Sequence, residues 1–272
     1  MYKIIAFDLD CTLLDSDKNI PEENMRALYY AADKGVEIVP ATGRIPMSIP
    51  QPLLDLPFLH YGIGANGACL FDYRAQQVID RQEIPVELAL RLIDHAHELG
   101  VPYDCYMDNC GYVSECYYGH AREFIMEPRI ADLFYSNRKP VPCLEEFLVE
   151  RNTPLQKLQF YFSDMDMRAY ELRHLPEVFP ELAVTSSVPG NIEFNLASAN
   201  KGDGLKNLCR ILDIPLEDSI AFGDDLNDIT MIKKAGMGVA MANAKPEVLA
   251  AADMVTLTNN EAGVGHAIFK LI

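Results

Sequence analysis

The chain has 272 residues, of which 49% are hydrophobic and 23% are charged, as in globular proteins with a sizeable core. Its 40 acidic residues outnumber its 23 basic residues and give a formal net charge of −17 at pH 7. A chain this acidic is not expected to bind nucleic acid or an anionic membrane, because basic surfaces bind the phosphates of both.

The first part of the chain predicts a strand, a helix and a second strand. Ile4–Phe7 is a continuous apolar run that ends at Asp8, as expected of a strand buried on both faces. Pro21 and the two glutamates after it mark the start of a helix that ends near Gly35, and residues 36–39 form the second strand. This order predicts two parallel strands joined by a right-handed crossover.

The middle of the chain contains strands and helices without strict alternation, which indicates an inserted α+β module. This module is predicted to span residues 84–189. Residues 138–142 contain two prolines and are interpreted as a surface loop of the module. The predicted helices of the module are residues 85–99, 119–134 and 165–175, and its predicted strands lie within residues 103–115 and 155–163.

The last part of the chain alternates again between helices and strands. We therefore expect residues 1–83 and 190–272 to form one α/β core, a Rossmann-like doubly wound parallel sheet with the α+β module inserted as a cap. The predicted helices of this last part are residues 201–212, 226–235, 246–251 and 259–271, and its predicted strands are residues 219–222, 238–240 and 254–257.

Acidic clusters directly follow two of the predicted core strands. Asp8 and Asp10 come after the first strand, and Asp224 and Asp228 come after the strand at residues 219–222. Two acids at the end of a buried strand cost desolvation free energy unless a cation or hydrogen-bond donors meet them. Because open α/β sheets bind ligands at the carboxyl ends of their strands, both clusters are expected to lie in one site.

Two further motifs indicate an anion at the same edge of the sheet. Thr42, Gly43 and Arg44 follow the second strand and offer a hydroxyl group and backbone amides. Lys201 lies in the first turn of a predicted helix, where a cation opposes the helix dipole by about 0.3–1 kcal/mol. A bound anion would offset this cost, because the helix amides and the ammonium group can bind it together.

Taken in chain order, these motifs resemble those of the haloacid dehalogenase (HAD) superfamily of phosphohydrolases. They read Asp-x-Asp-x-Thr, Thr-Gly-Arg, Lys-Gly and Gly-Asp-Asp-x-Asn-Asp. The inserted module resembles the C2B cap of the Cof-type, or IIB, subfamily, and so do the segments at residues 66–68 and 185–194. The likeness spans the whole chain and departs from the pattern at Cys11, where glycine is commonest.

The resemblance implies a Mg²⁺-dependent phosphatase of small phosphomonoesters, with sugar phosphates as the expected substrates. Asp8 would be the nucleophile that forms an aspartyl-phosphate, and Asp10 the acid that protonates the leaving oxygen and later activates water. Asp8, the backbone carbonyl of Asp10 and Asp224 would bind Mg²⁺. The resemblance further implies that Leu9, Thr42, Gly43, Lys201 and Asn227 bind the substrate phosphate and that Arg44 and Asp228 support the site. It leaves open whether Asp225 or Asp228 contacts the metal directly.

Two alternatives to a phosphatase stay open at this point. A phosphomutase would pass the phosphoryl group to a sugar hydroxyl, which requires a cap that binds a second phosphate. A non-enzymatic phospho-switch would keep its acyl phosphate, but receiver-type switches lack an insertion of this length. No protein partner is indicated, and seven cysteines at irregular spacing favour the reducing cytoplasm.

Overall fold

The strands of the chain pair in three separate sheets in the computed structural model, which describes residues 2–125, 127–186 and 188–272. In chain order the strands are β1 (Ile4–Phe7), β2 (Glu37–Pro40), β3 (Tyr61–Gly64), β4 (Cys69–Asp72), β5 (Gln77–Arg81), β6 (Tyr103–Met107), β7 (Cys110–Ser114), β8 (Arg138–Val141), β9 (Lys157–Tyr161), β10 (Leu182–Thr185), β11 (Asn191–Leu196), β12 (Ser219–Gly223), β13 (Met237–Ala240) and β14 (Met254–Val255).

The helices range from single turns to 14 residues, and within the described residues none is both long and apolar enough to cross a membrane. In chain order they are α1 (Glu22–Asp33), α2 (Gln51–Leu54), α3 (Val86–Leu99), α4 (Glu115–Tyr118), α5 (Ala121–Phe124), α6 (Pro128–Asn137), α7 (Leu144–Arg151), α8 (Met165–Val178), α9 (Lys201–Ile211), α10 (Ile229–Lys234), α11 (Pro246–Leu249) and α12 (Gly263–Leu271).

The chain divides into two units. Unit 1 comprises Met1–Arg81 and Asn200–Ile272, and unit 2 comprises Gln82–Ala199. The division after Ala199 lies later in the chain than the predicted edge of the module at residue 189. The reason is that β11, which follows that edge, pairs antiparallel with β9 and β10 in the sheet of unit 2.

Unit 1 contains a five-stranded sheet in the order β14-β13-β12-β1-β2, in which all neighbouring strands are parallel. Alternate residues of β1 are buried on opposite faces of this sheet. Ile5 and Phe7 pack in a core with residues of α1 and α12, and Ile4 and Ala6 pack in a core with residues of α9 and α10. Helices on both faces of a parallel sheet confirm the predicted Rossmann-like class.

The strand order of this sheet reverses at β1. The chain goes from β1 to β2 on one side, and it returns on the other side through β12, β13 and β14. Such a reversal leaves a crevice at the carboxyl ends of the two strands that flank it, here β1 and β12. A second, antiparallel sheet of unit 1, in the order β3-β4-β5, was not predicted from the sequence.

Unit 2 is an α+β structure, as the sequence predicts, built on a six-stranded sheet in the order β10-β11-β9-β6-β7-β8. The predicted surface loop at residues 138–142 is wrong, because Arg138–Val141 forms β8 and pairs parallel with β7. Pro140 is compatible with this strand because β8 lies at the edge of the sheet, where an amide can be missing. Arg138 itself is buried and pairs with Asp104.

The carboxylate of Asp104 is fully buried in unit 2 and accepts hydrogen bonds from Arg138 Nε at 2.6 Å, Tyr161 OH at 2.8 Å and Gln159 Nε2 at 3.0 Å. Arg138→Met leaves this charge without its cation, so we expect a loss of about 3–5 kcal/mol in the free energy of unfolding. Urea unfolding measures the loss, and the double variant Asp104→Leu/Arg138→Met should recover part of it. A single variant as stable as the wild type would contradict this account.

Candidate active site

Asp8 lies at the carboxyl end of β1, at the start of a loop that folds back on itself. Its backbone amide continues the ladder of β1 by donating to Phe222 O of β12 at 3.0 Å, and its side chain is buried. The loop closes when Leu13 N donates to Asp8 O at 3.2 Å. Within the loop Cys11 has a φ of 61°, in the left-handed region, and this geometry explains why glycine suits that position.

Lys201 is the first residue of α9, and its side chain is fully buried. Its Nζ donates to Asp8 Oδ1 at 2.7 Å and to Asp228 Oδ1 at 2.6 Å. Burial alone would lower the pKa of Lys201, but the charges of Asp228 and Asp8 raise it above its ordinary value. The anions next to the helix terminus in this structure are therefore two carboxylates of the chain itself.

Asp228 folds back over the loop that follows β12. Its Oδ2 accepts hydrogen bonds from the backbone amides of Asp224 at 2.9 Å and Asp225 at 3.0 Å. A Cβ atom at Gly223 would lie 2.3 Å from Asp228 Cβ, so only glycine allows this approach. Both oxygens of Asp228 are thus engaged by donors of the chain, and they fix the course of the loop that carries Asp224.

Carboxylate oxygens of Asp8, Asp224 and Asp228 lie within 4.8 Å of one another. Burial raises the pKa of Asp8 to about 7, with Lys201 opposing the shift and Asp228 adding to it. Burial also raises the pKa of Asp224 to about 6, although the hydroxyl of Thr12 donates to Asp224 Oδ1 at 2.6 Å. Excess negative charge and hard oxygen donors fit a divalent cation such as Mg²⁺.

Asp10 pairs with two other cations, Arg44 and Lys18. Arg44 Nε donates to Asp10 Oδ2 at 2.9 Å, Arg44 Nη2 donates to Asp10 Oδ1 at 2.7 Å, and Lys18 Nζ donates to Asp10 Oδ1 at 2.8 Å. Burial raises the pKa of Asp10, but the hydrogen bonds and charges of Arg44 and Lys18 outweigh it and hold the pKa below its ordinary value. Asp10 is therefore ionised in this arrangement, which is the form that can act as a base.

The Thr42-Gly43-Arg44 segment follows β2 and is stabilised from within and from a neighbouring turn. Thr42 is buried, and its Oγ1 accepts from Arg44 N at 3.2 Å. Asn227 Nδ2 donates to Asn66 Oδ1 at 3.0 Å, beside Gly43. Asn227 Oδ1 is buried and accepts no hydrogen bond from any residue in the described part of the chain.

The structure brings most of the sequence-predicted residues together at the carboxyl edge of the parallel sheet. The Leu9 side chain is buried in the apolar core, so only its backbone can face a ligand. Asp225 pairs with Lys245. The contacts of Thr12 and Lys18 were not predicted: Thr12 is part of the first motif but carried no assigned role, and Lys18 follows no pattern that singles it out.

A sequence model of haloacid dehalogenase-like hydrolases matches residues 5–268 of the chain. Phosphatase YwpJ of Bacillus subtilis (strain 168) is 31% identical, over 99% of this chain and 100% of that protein. From the same organism, 5-amino-6-(5-phospho-D-ribitylamino)uracil phosphatase YcsE is 34% identical, over 98% of this chain and 94% of that protein.

A solved structure shares the fold over its full length. The HAD subclass IIB sugar phosphatase BT4131 superposes with a TM-score of 0.81 and 26% sequence identity, covering 99% of this chain and 100% of that one. A match of this extent covers the parallel core, the inserted module and all the acidic loops described above.

Proposed function

Because this chain belongs to the haloacid dehalogenase-like hydrolase family and is a Cof-type phosphatase, we propose that it hydrolyses small phosphomonoesters, sugar phosphates above all, with Mg²⁺ and through a phosphorylated Asp8. The observation that carries the proposal is the contact of Lys201 with Asp8 and Asp228, beside Asp224. This contact places a nucleophile, a cation and a candidate metal site next to one another.

Charge explains why this site needs a divalent cation. A phosphate group and a carboxylate about 4 Å apart repel each other by about 4 kcal/mol per pair of unit charges at an intermediate dielectric constant. We assign Mg²⁺ to the carboxylates of Asp8 and Asp224 and to the backbone carbonyl of Asp10. When bound there, Mg²⁺ supplies positive charge that reduces this repulsion. Asp228 supports Asp224 in this proposal, because donors of the chain already engage both of its oxygens.

Asp8 is the group that attacks phosphorus in this proposal. Lys201 Nζ holds Asp8 Oδ1 and so fixes the orientation of the carboxylate, which leaves Oδ2 for the attack. The bond from Oδ2 to phosphorus forms while the bond from phosphorus to the leaving oxygen breaks, and Asp10 gives that oxygen a proton. Water then attacks the phosphorus with Asp10 as base, which frees Asp8 and inorganic phosphate.

Arg44 is a positioning residue for Asp10 in this scheme. Its two parallel hydrogen bonds hold the carboxylate in the form that activates water. For the first step Asp10 must carry a proton, so binding of the substrate has to weaken the contact with Arg44. The phosphoryl oxygens are assigned to Lys201 Nζ, Thr42 Oγ1, the amide of Asn227 and the backbone amides of Leu9 and Gly43.

The proposed substrate class rests on the relatives. The name of YcsE gives a phosphate ester on a ribityl chain as its substrate, and BT4131 is described as a sugar phosphatase. Unit 2 corresponds in this proposal to the cap domain of the subfamily. The cytoplasm is the proposed compartment, since no disulfide joins the seven cysteines, all of which lie in the described ranges.

Release of inorganic phosphate from a panel of sugar phosphates, measured with Mg²⁺ and then with excess EDTA, tests the proposed function. We expect turnover with Mg²⁺, loss of turnover in EDTA and recovery when Mg²⁺ is restored. Asp224→Asn removes one proposed ligand and should raise the Mg²⁺ concentration needed for half-maximal rate at least about tenfold. Full activity in EDTA would contradict the metal site, and an isomerised sugar without released phosphate would indicate a phosphomutase.

The raised pKa values of Asp8 and Asp224 predict how Mg²⁺ binding depends on pH. Because these values lie above the ordinary 3.8, the metal-free folded protein binds the two protons more tightly than the unfolded chain. The stabilisation of the folded protein by these two bound protons is complete below about pH 4. It is lost as the pH rises to about 7 and both carboxyl groups ionise. Mg²⁺ should therefore raise the unfolding temperature more at about pH 8 than at about pH 5. An equal increase at both pH values would contradict the assignment.

A further inference from the structure

We propose that the Asn66-Gly67 turn is a positioning element that sets the spacing between three phosphate-binding segments of the site. The segments are the loop at residues 42–44, the start of α9 and the loop that carries Asn227. The inference rests on the proposed function, because the proposed function is what assigns the substrate phosphate to these segments. No role in catalysis has been given to the turn so far, and its contacts are the reason to assign one.

The side chain of Asn66 joins two of the segments. It is buried, and its Oδ1 accepts from Asn227 Nδ2 at 3.0 Å. A Cβ atom at Gly43 would lie 3.0 Å from the same Oδ1, so the glycine makes room for the amide. The Asn227 amide group carries two hydrogens. One is donated to Asn66, and the other can be donated to a phosphoryl oxygen.

The backbone of the turn is bonded to the loop at residues 42–44. Asn66 N donates to Thr42 O at 3.0 Å, and Ala65 N donates to Arg44 O at 2.8 Å. Thr42 N in turn donates to Ile63 O of β3 at 2.8 Å. Three hydrogen bonds in succession therefore tie this loop to the end of β3 and to the turn that follows it.

The third segment meets the turn at Gly67. A Cβ atom at Gly67 would lie 2.3 Å from the backbone oxygen of Asn200, and the residue has a φ of 100°. Asn200 caps α9, since its side chain accepts from Asp203 N, and the next residue is Lys201. The turn thus lies directly against the backbone that carries the buried lysine.

These contacts do more than stabilise the turn itself, because they join three separate segments of the site. The three segments are far apart in the sequence, and each supplies a different donor to the phosphate in the proposed site. Asn66 has a φ of 58°, a conformation that asparagine tolerates better than most residues, so its backbone and its amide are both suited to this position. Loss of the amide should leave the fold intact but release Asn227.

Asn66→Gly tests this role, because glycine keeps the positive φ and deletes the side chain with its amide. We expect kcat/KM for a sugar phosphate to fall by about 10²-fold and the inhibition constant of inorganic phosphate to rise, with the Mg²⁺ requirement unchanged. In a double-mutant cycle the effect should be largely absent when Asn227 is already alanine. Asn152→Gly is the matched control, since Asn152 also has a positive φ, ends α7 in unit 2 and should leave activity unchanged.

The outcomes separate the inference from the proposed function. A wild-type protein that releases no phosphate from any phosphomonoester contradicts the proposed function. An active wild type whose kcat/KM and phosphate inhibition constant are unchanged by Asn66→Gly overturns the positioning role, and so do effects that simply add in the cycle. If Asn66→Gly does not fold, Asn66→Ala deletes the same acceptor of the Asn227 amide, and an unchanged phosphate inhibition constant in the folded Asn66→Ala protein overturns the inference.

Discussion

Asp8→Asn is expected to abolish turnover while the protein stays folded. The amide cannot attack phosphorus, and removal of a nucleophile that acts together with its partners costs about 10⁴-fold or more in rate. Stability should not fall, because Asp8 is a buried carboxylate beside Asp224 and Asp228, and burial raises its pKa to about 7. The neutral amide removes this repulsion, and Lys201 keeps its bond to Asp228.

Phosphate release and thermal unfolding of the same preparation test both parts of this expectation. Asp218→Asn is the matched control, because Asp218 lies outside the site and pairs with Lys3. It should retain the wild-type rate. Turnover by a folded Asp8→Asn variant at a rate near that of the control would exclude Asp8 as the nucleophile.

Asp10→Asn is expected to slow the first chemical step by an amount that depends on the leaving group. A sugar leaves as a poor alkoxide and needs a proton from Asp10, and general acid assistance contributes about 10²–10⁴-fold. The nitrophenolate of p-nitrophenyl phosphate leaves without that proton, so its transfer to Asp8 should be much less affected. Removal of the carboxylate also frees Arg44 and Lys18, which both donate to it.

Single-turnover kinetics on the two substrates measures this difference. The ratio of wild-type to variant rates should be far larger for the sugar phosphate than for the aryl phosphate. The same two rates of Arg44→Lys are compared with those of Asp10→Asn. Lysine keeps the positive charge beside Asp10 but not the pair of parallel hydrogen bonds that Arg44 donates to it. Equal losses on both substrates would show that Asp10 does not protonate the leaving oxygen.

Features that depend on one short stretch of sequence could be predicted from it. The run Ile4–Phe7 is apolar throughout because both faces of β1 are covered, and this burial shows in the sequence itself. The meeting of Asp8 and Asp224 could also be predicted in outline, because a general rule brings the carboxyl ends of parallel strands together. Lys201 follows β11 of the other sheet, so the rule does not give its ion pairs with Asp8 and Asp228.

Features that depend on a distant partner could not be predicted. Arg138–Val141 forms a strand because β7 is available to pair with it and because Arg138 binds the buried Asp104. Neither partner is apparent from the sequence of residues 138–142, which contains two prolines. The bond between Asn227 and Asn66 joins residues on loops far apart in the chain. Side chains that meet only in the folded protein produce no periodic pattern, so their contacts appear only in the structure.

Mass spectrometry of acid-quenched Asp10→Asn protein, after mixing with p-nitrophenyl phosphate and Mg²⁺, tests the central claim most directly. Because water activation also needs Asp10, the variant should accumulate the acyl phosphate, and the peptide that contains Asp8 should gain the mass of one phosphoryl group. The double variant Asp8→Asn/Asp10→Asn should gain none. A phosphoryl group on any other residue, or phosphate release in a single turnover with no phosphorylated protein at any time, would contradict the mechanism.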